Sequence, residues 1–242
     1  MPASGIDVSN VTMRFGAVTA LADVTFSVDA GSSVAILGPN GADKTTLLKI
    51  ISGLAKPSGG TVQVGDATSA EAVRSRLGVV SHQTMLYEDL TARENLVFYS
   101  RLYGLADLES VVTASLESVG LSDHRCYDRV RTFSRGMKQR LAIARATIHD
   151  PQVLLFDEPY TGLDVAGRNT LSERINAFRS MGRTLLVVTH DLRQAMSLAD
   201  RFLVLARGRI VEDGVTEDIS LKDLERRYQA ASASQIVREE VG

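Results

Sequence analysis

The sequence predicts an α/β fold with a mainly parallel sheet, an N-terminal antiparallel β subdomain and an inserted helical subdomain. Three observations predict it. Short apolar runs at residues 34–37 (VAIL), around 79–80, at 153–156 (VLLF) and at 185–188 (LLVV) read as buried strands, and longer amphipathic stretches separate them. The first third differs: residues 8–15, 24–28 and 61–64 alternate or are rich in β-branched side chains, with turns at Asp29-Ala30-Gly31 and Ser58-Gly59-Gly60. Residues 84–150 lie between two core strands and read as mostly helical.

Within that helical block, Thr91 reads as an N-cap because Glu94 follows three residues on, the pattern of a capping box. Residues 105–121 and 134–149 continue the helical periodicity. After Arg207, the run GRIVEDG reads as a strand and turn, and residues 219–231 as a last helix. The expected organisation is one domain over 1–242. Residues 1–83 and 151–218 form the core and the antiparallel β subdomain, 84–150 the helical subdomain, and 219–242 a C-terminal helix and tail.

The 242 residues suit a single large domain with a sizeable core. A net charge of −2, from 27 basic and 29 acidic residues, gives no basic excess for a phosphate backbone, so nucleic acid is not expected as a partner. The single cysteine, Cys126, has no partner for an intramolecular disulfide and no metal-ligand spacing. The first ten residues have neither the charged nor the apolar region of a secretory signal. The longest apolar runs are four residues, whereas a membrane span needs about 20, so any passage across a membrane is expected from other chains.

Residues 34–37 run into Gly38, Pro39, Asn40, Gly41, Ala42, Asp43, Lys44, Thr45 and Thr46, then into an apolar helical stretch. Gly38, Lys44 and Thr45 match the G-x-x-x-x-G-K-[ST] phosphate loop in spacing and context, which predicts a P-loop NTPase core over a chance glycine-rich turn. Backbone N–H groups in a tight turn at the positive end of a helix cradle polyphosphate. Lys44 is expected to reach the β- and γ-phosphates, and the Thr45 hydroxyl to ligate Mg²⁺. Asp43 departs from the pattern, since glycine is expected before the lysine. A carboxylate about 5 Å from one phosphate charge, at an effective dielectric near 20, costs roughly 3 kcal/mol. That is about a hundredfold in affinity, unless the side chain turns away or captures Mg²⁺. Either the loop is a weakened nucleotide site, or it is an altered form of a loop that had glycine.

The strand at 153–156 ends in Asp157-Glu158-Pro159. Asp157 is placed to hold Mg²⁺, and Glu158 to polarise a water attacking the γ-phosphoryl group. His190 follows the next apolar strand and stands beside the phosphate loop if the two strands are neighbours. Upstream, Phe133-Ser134-Arg135-Gly136-Met137 opens a patterned helix. The Ser134 hydroxyl and the N–H groups around Gly136 would form a second anion site at a helix N-terminus, although taken alone the stretch also reads simply as a capped helix.

In this order, these motifs resemble the ATP-binding cassette family across essentially the whole chain. The resemblance implies an ATPase coupled to transport that uses ATP and Mg²⁺. It works as a homodimer, or paired with another cassette ATPase, on transmembrane permease subunits at the cytoplasmic face of the membrane. It assigns catalysis to Glu158, His190 and Lys44, and metal contacts to Thr45, Gln83 and Asp157. Residues 133–137 match the signature that meets the opposite subunit's ATP, although only Ser134 and Gly136 keep its usual form. Asp164 lies in the loop crossing the dimer interface, and Phe15 stands where an aromatic ring stacks on adenine. Residues 81–96, the run VRTFSRGMKQRLAIARA and DEPYTGLD are similar to the heme-exporter ATPases of cytochrome c maturation, and also to ATPases of drug and lipid exporters. Asp43 leaves open a hydrolysis-impaired nucleotide-binding subunit. Arg135, in place of the signature's glycine, could offset Asp43 across a dimer.

Overall fold

A computed structural model describes residues 4–236 apart from 68, 82 and 123. His82 and the end of the expected C-terminal tail, 237–242, lie outside the described residues. The strands are β1 (Ser4–Phe15), β2 (Val18–Asp29), β3 (Ser33–Leu37), β4 (Gly59–Val64), β5 (Leu77–Val80), β6 (Val153–Asp157), β7 (Thr184–Thr189), β8 (Arg201–Ala206) and β9 (Arg209–Val215). The helices are α1 (Lys44–Ile51), α2 (Ala70–Arg76), α3 (Ala92–Leu102), α4 (Leu108–Ser118), α5 (Arg135–Thr147), α6 (Val165–Ser180), α7 (Leu192–Leu198) and α8 (Leu221–Ile236).

The expected fold class is the one found. The main sheet has the order β5-β6-β7-β3-β8-β9, parallel except for β9, and the smaller sheet β2-β1-β4 is antiparallel. β3, β6 and β7 are buried along their whole length, which is why they read as unbroken apolar runs. Their side chains alternate between two cores. Leu154, Phe156, Leu185 and Val187 pack against α3, α4, α5 and α6. Val153, Leu155, Leu186 and Val188 face α1 and the antiparallel sheet. On the far strands, Ala35, Leu37, Phe202 and Val204 meet α7 and α8.

Several elements differ from expectation. β2 begins at Val18 rather than 24, because the bulge at Asp23, a left-handed residue (φ 58°) bonded to Asn10, interrupts its alternation. β4 opens at Gly59 inside the expected turn, pairing with Thr12. α2 is an element that the sequence pattern does not signal; its cap, Ser69, accepts from the Ala72 N–H at 3.1 Å. α4 is shorter than 105–121 because Gly104 turns the chain (φ 66°) and Asp107 then caps the helix. Residues 84–91 form a loop held to α3 by Asn95, whose side chain contacts the backbone of Tyr87. The Thr91 capping box is present in full.

Candidate nucleotide site

Parallel strands deliver their C-terminal ends to one edge of a sheet, and in such folds ligands bind at that edge. The order β6-β7-β3 therefore sets three loops side by side: Glu158 after β6, His190 after β7, and the loop 38–43 after β3. Leu37 pairs with Thr189, and Asp157 with Val188.

Gly38 leaves β3 so close to β8 that a Cβ there would collide with the Leu205 carbonyl. The Lys44 ammonium donates to the carbonyls of Gly38 (2.6 Å) and Pro39 (3.0 Å). It is buried, and burial pulls its pKa below the ordinary lysine value against the opposing charges of Glu158 and Asp157. Thr45 Oγ1 stands 3.3 Å from Oδ2 of the buried Asp157. A hydroxyl beside a carboxylate suits Mg²⁺, which keeps most of its waters and needs only one or two protein oxygens.

Asp43 occupies the left-handed region (φ 64°, ψ 26°) as the N-cap of α1, the conformation for which glycine is favoured. Its carboxylate accepts from the Thr46 hydroxyl at 3.1 Å. Residues 40–46 with Asp157 and Glu158 line a cleft of about 300 Å³, and the carboxylates of Glu158 and Asp157 are the opposing charges felt by the Lys44 ammonium.

Glu158 is also left-handed (φ 47°), with its N–H bonded to the Val188 carbonyl at 2.9 Å. A glutamate in that region costs on the order of 1–3 kcal/mol, and such strain clusters at functional sites. Its carboxylate pairs with His190 Nδ1 at 2.9 Å. Glu158 lines two further clefts besides the phosphate-loop cleft, one with His190 and one with Gln83, Lys138 and Gln139. Gln83 thus approaches Glu158 but does not line the cleft of Thr45 and Asp157.

Ser134 caps α5, accepting from the Met137 N–H at 3.3 Å, and Asp164 caps α6, accepting from Gly167 at 2.8 Å. With Gly136 they line a separate groove of about 230 Å³. The phosphate-loop cleft of the same chain does not include them. Phe15 is 55% exposed at the end of β1, so packing in the core does not account for it. Arg135 contacts Thr161 in its own chain, and Gln139 donates to the Pro159 carbonyl at 3.2 Å. Gln139 does not stand out in the sequence, where its only signal is its place one turn beyond Arg135 on α5.

Residues 21–161 match the model of a family described as ABC transporter. The chain belongs to the ABC transporter family. It is 39% identical to a Nod factor export ATP-binding protein I of Burkholderia orbicola, over 88% of this chain and 72% of that protein. It is 37% identical to the ABC transporter ATP-binding protein NatA of Bacillus subtilis, over 91% and 92%. It is 34% identical to the linearmycin resistance protein LnrL of the same organism, over 88% and 70%. Among solved structures, an ATP-binding subunit of an ABC transporter superposes with a TM-score of 0.82 at 32% identity, covering 93% of this chain and 99% of that one. The cassette MJ0796, a dimer bound to ADP and Pi after hydrolysis, gives 0.77 at 28%, covering 87% and 98%. The chain is accordingly the ATP-hydrolysing subunit of an ABC transporter. Subunits of this family bind ATP, generally with Mg²⁺, dimerise and pair with permease components.

Proposed function

We propose that this chain is the motor of an exporter and hydrolyses Mg-ATP in a head-to-tail dimer. The observation that carries the reading is the gathering of Lys44, Thr45, Asp157, Glu158 and His190 at the ends of β3, β6 and β7. Gly38, Pro39, Asn40, Gly41, Ala42, Asp43, Lys44, Thr45 and Thr46 wrap the phosphates, and Phe15 stacks on the adenine. Thr45 and Asp157, joined by Gln83, would hold Mg²⁺, which when bound would supply charge neutralisation at the phosphates. Glu158 orients and deprotonates the attacking water, and His190 holds the Glu158 carboxylate in place. Ser134 and Gly136 of one subunit close over the nucleotide of the other, with Asp164 at the interface.

No helix among the described residues is long and apolar enough to cross a membrane, which fits a subunit that docks on permeases at the cytoplasmic face. The half-exposed Met85 and Tyr87, two and four residues beyond Gln83, offer an apolar contact. The names of the relatives favour export of the kinds of cargo handled by Nod factor and linearmycin transporters. They lend no support to the heme-exporter reading, which rests on motif similarity alone. Asp43, standing in the left-handed position where the phosphate-loop pattern has glycine, favours a weakened nucleotide affinity within the same reading.

Phosphate release from Mg-ATP by the full chain tests the proposal. Turnover that Glu158→Gln abolishes supports it, and turnover untouched by that substitution contradicts it.

A further inference from the structure

The signature helix and the Glu158 loop meet inside one subunit. Arg135, the first residue of α5, donates from Nη2 to the Thr161 carbonyl at 2.5 Å. Its guanidinium also lies against Gly162, where a Cβ would collide with it. Gly162 is left-handed (φ 69°), so the loop presents bare backbone to the cation. At its ends this loop is anchored in the core: Tyr160 is buried and bonded to Ser172 at 2.9 Å, and Leu163 is buried. Its middle, Thr161 and Gly162, is exposed, and the side-chain hold on it comes from Arg135. Glu158 begins the same loop in a left-handed conformation, and the Thr161 N–H bonds back to its carbonyl at 3.1 Å. The direction of the Glu158 side chain therefore depends on a turn whose far side is held from α5.

We propose that Arg135 is a positioning residue, which clamps the loop 158–163 from within its own subunit and sets the Glu158 carboxylate for water activation. The proposal deepens the ATPase reading and rests on it. It also replaces the expectation that Arg135 answers Asp43 across a dimer, because the guanidinium is engaged at home. Arginine suits this role because its fork donates to the Thr161 carbonyl while the guanidinium lies close against Gly162, whereas lysine offers a compact point charge without the planar group.

The test uses the full chain as wild type, Arg135→Ala, Arg135→Lys and Glu158→Gln. Mg-ATP turnover, nucleotide affinity and hydrogen exchange at the Thr161 and Leu163 amides are measured for each. Arg135→Ala is expected to lower kcat about tenfold, equivalent to about 1.4 kcal/mol, with affinity within about twofold of wild type. Exchange at the two amides should rise about tenfold, and Arg135→Lys should recover part of both effects. Wild-type turnover and exchange in Arg135→Ala would overturn the proposal. So would lost nucleotide affinity with unchanged exchange, which would place Arg135 on the nucleotide instead. If the wild type itself shows no turnover sensitive to Glu158→Gln, the ATPase reading fails, and the exchange data alone decide whether the clamp exists.

Discussion

Nδ1 of His190 lies 2.9 Å from Oε2 and 3.0 Å from Oε1 of Glu158. An ionised carboxylate only accepts, so Nδ1 carries the proton and the imidazole steers the group that would take a proton from water. His190→Ala should therefore leave nucleotide binding nearly intact and cut turnover by about a hundredfold. Glu158→Gln should cut it by about 10²–10⁴-fold, the usual contribution of a positioned base. Steady-state phosphate release compared with nucleotide affinity separates the two effects.

The contact between Thr45 and Asp157 places the proposed metal ligands together. Asp157→Asn should raise the Mg²⁺ concentration for half-maximal activity by about 10–100-fold, as loss of an orienting carboxylate does at other metal sites. A Mg²⁺ titration at fixed ATP reads this, and an unchanged midpoint would remove Asp157 from the metal site.

Phe15 is more than half exposed, so its truncation costs little packing. Phe15→Ala should keep the melting temperature within about 2 °C of the parent yet weaken ATP binding by about 3–10-fold, the worth of one aromatic stack. A thermal scan with and without ATP shows both.

Acid should act on the fold at Asp200, far from the phosphate loop. Burial alone would raise its pKa, but bonds from the Ser33 hydroxyl (2.6 Å) and N–H (3.1 Å), together with Arg179, outweigh it and hold the carboxyl below its ordinary 3.8. A carboxyl with a lowered folded pKa stabilises above its unfolded value, and that stabilisation is lost as pH falls through the folded one. Wild-type stability should decline below about pH 4. Asp200→Asn should lose about 0.5–1 kcal/mol at pH 7, since solvent screens the half-exposed carboxylate, and show a flatter acid limb in denaturant titrations.

Much of this was legible in the chain. Buried parallel strands are continuous apolar runs, so β3, β6 and β7 stood out, and each carries its functional residues directly at its end. Bulged strands were less legible, because Asn10 and Asp23 break the alternation locally while their mutual bond keeps the pairing intact. The left-handed turn at Glu158 left no trace, since a glutamate before proline reads as an ordinary strand end. The clamp of Arg135 on Thr161 joins residues 26 apart, and only folding brings them together. At Asp43 the charge was legible but its orientation was not: the carboxylate bonds to Thr46, so its cost to a phosphate is smaller than a carboxylate pointed at the ligand would impose.

Mg-ATP affinity for the chain and for Asp43→Gly, measured side by side by equilibrium titration, tests the central claim that residues 38–46 are a working but weakened phosphate loop. The account predicts saturable binding by both, with glycine tighter by about 3–30-fold, or about 0.7–2 kcal/mol. Equal affinities would contradict the weakening, and absence of saturable binding by either protein would contradict the phosphate site itself.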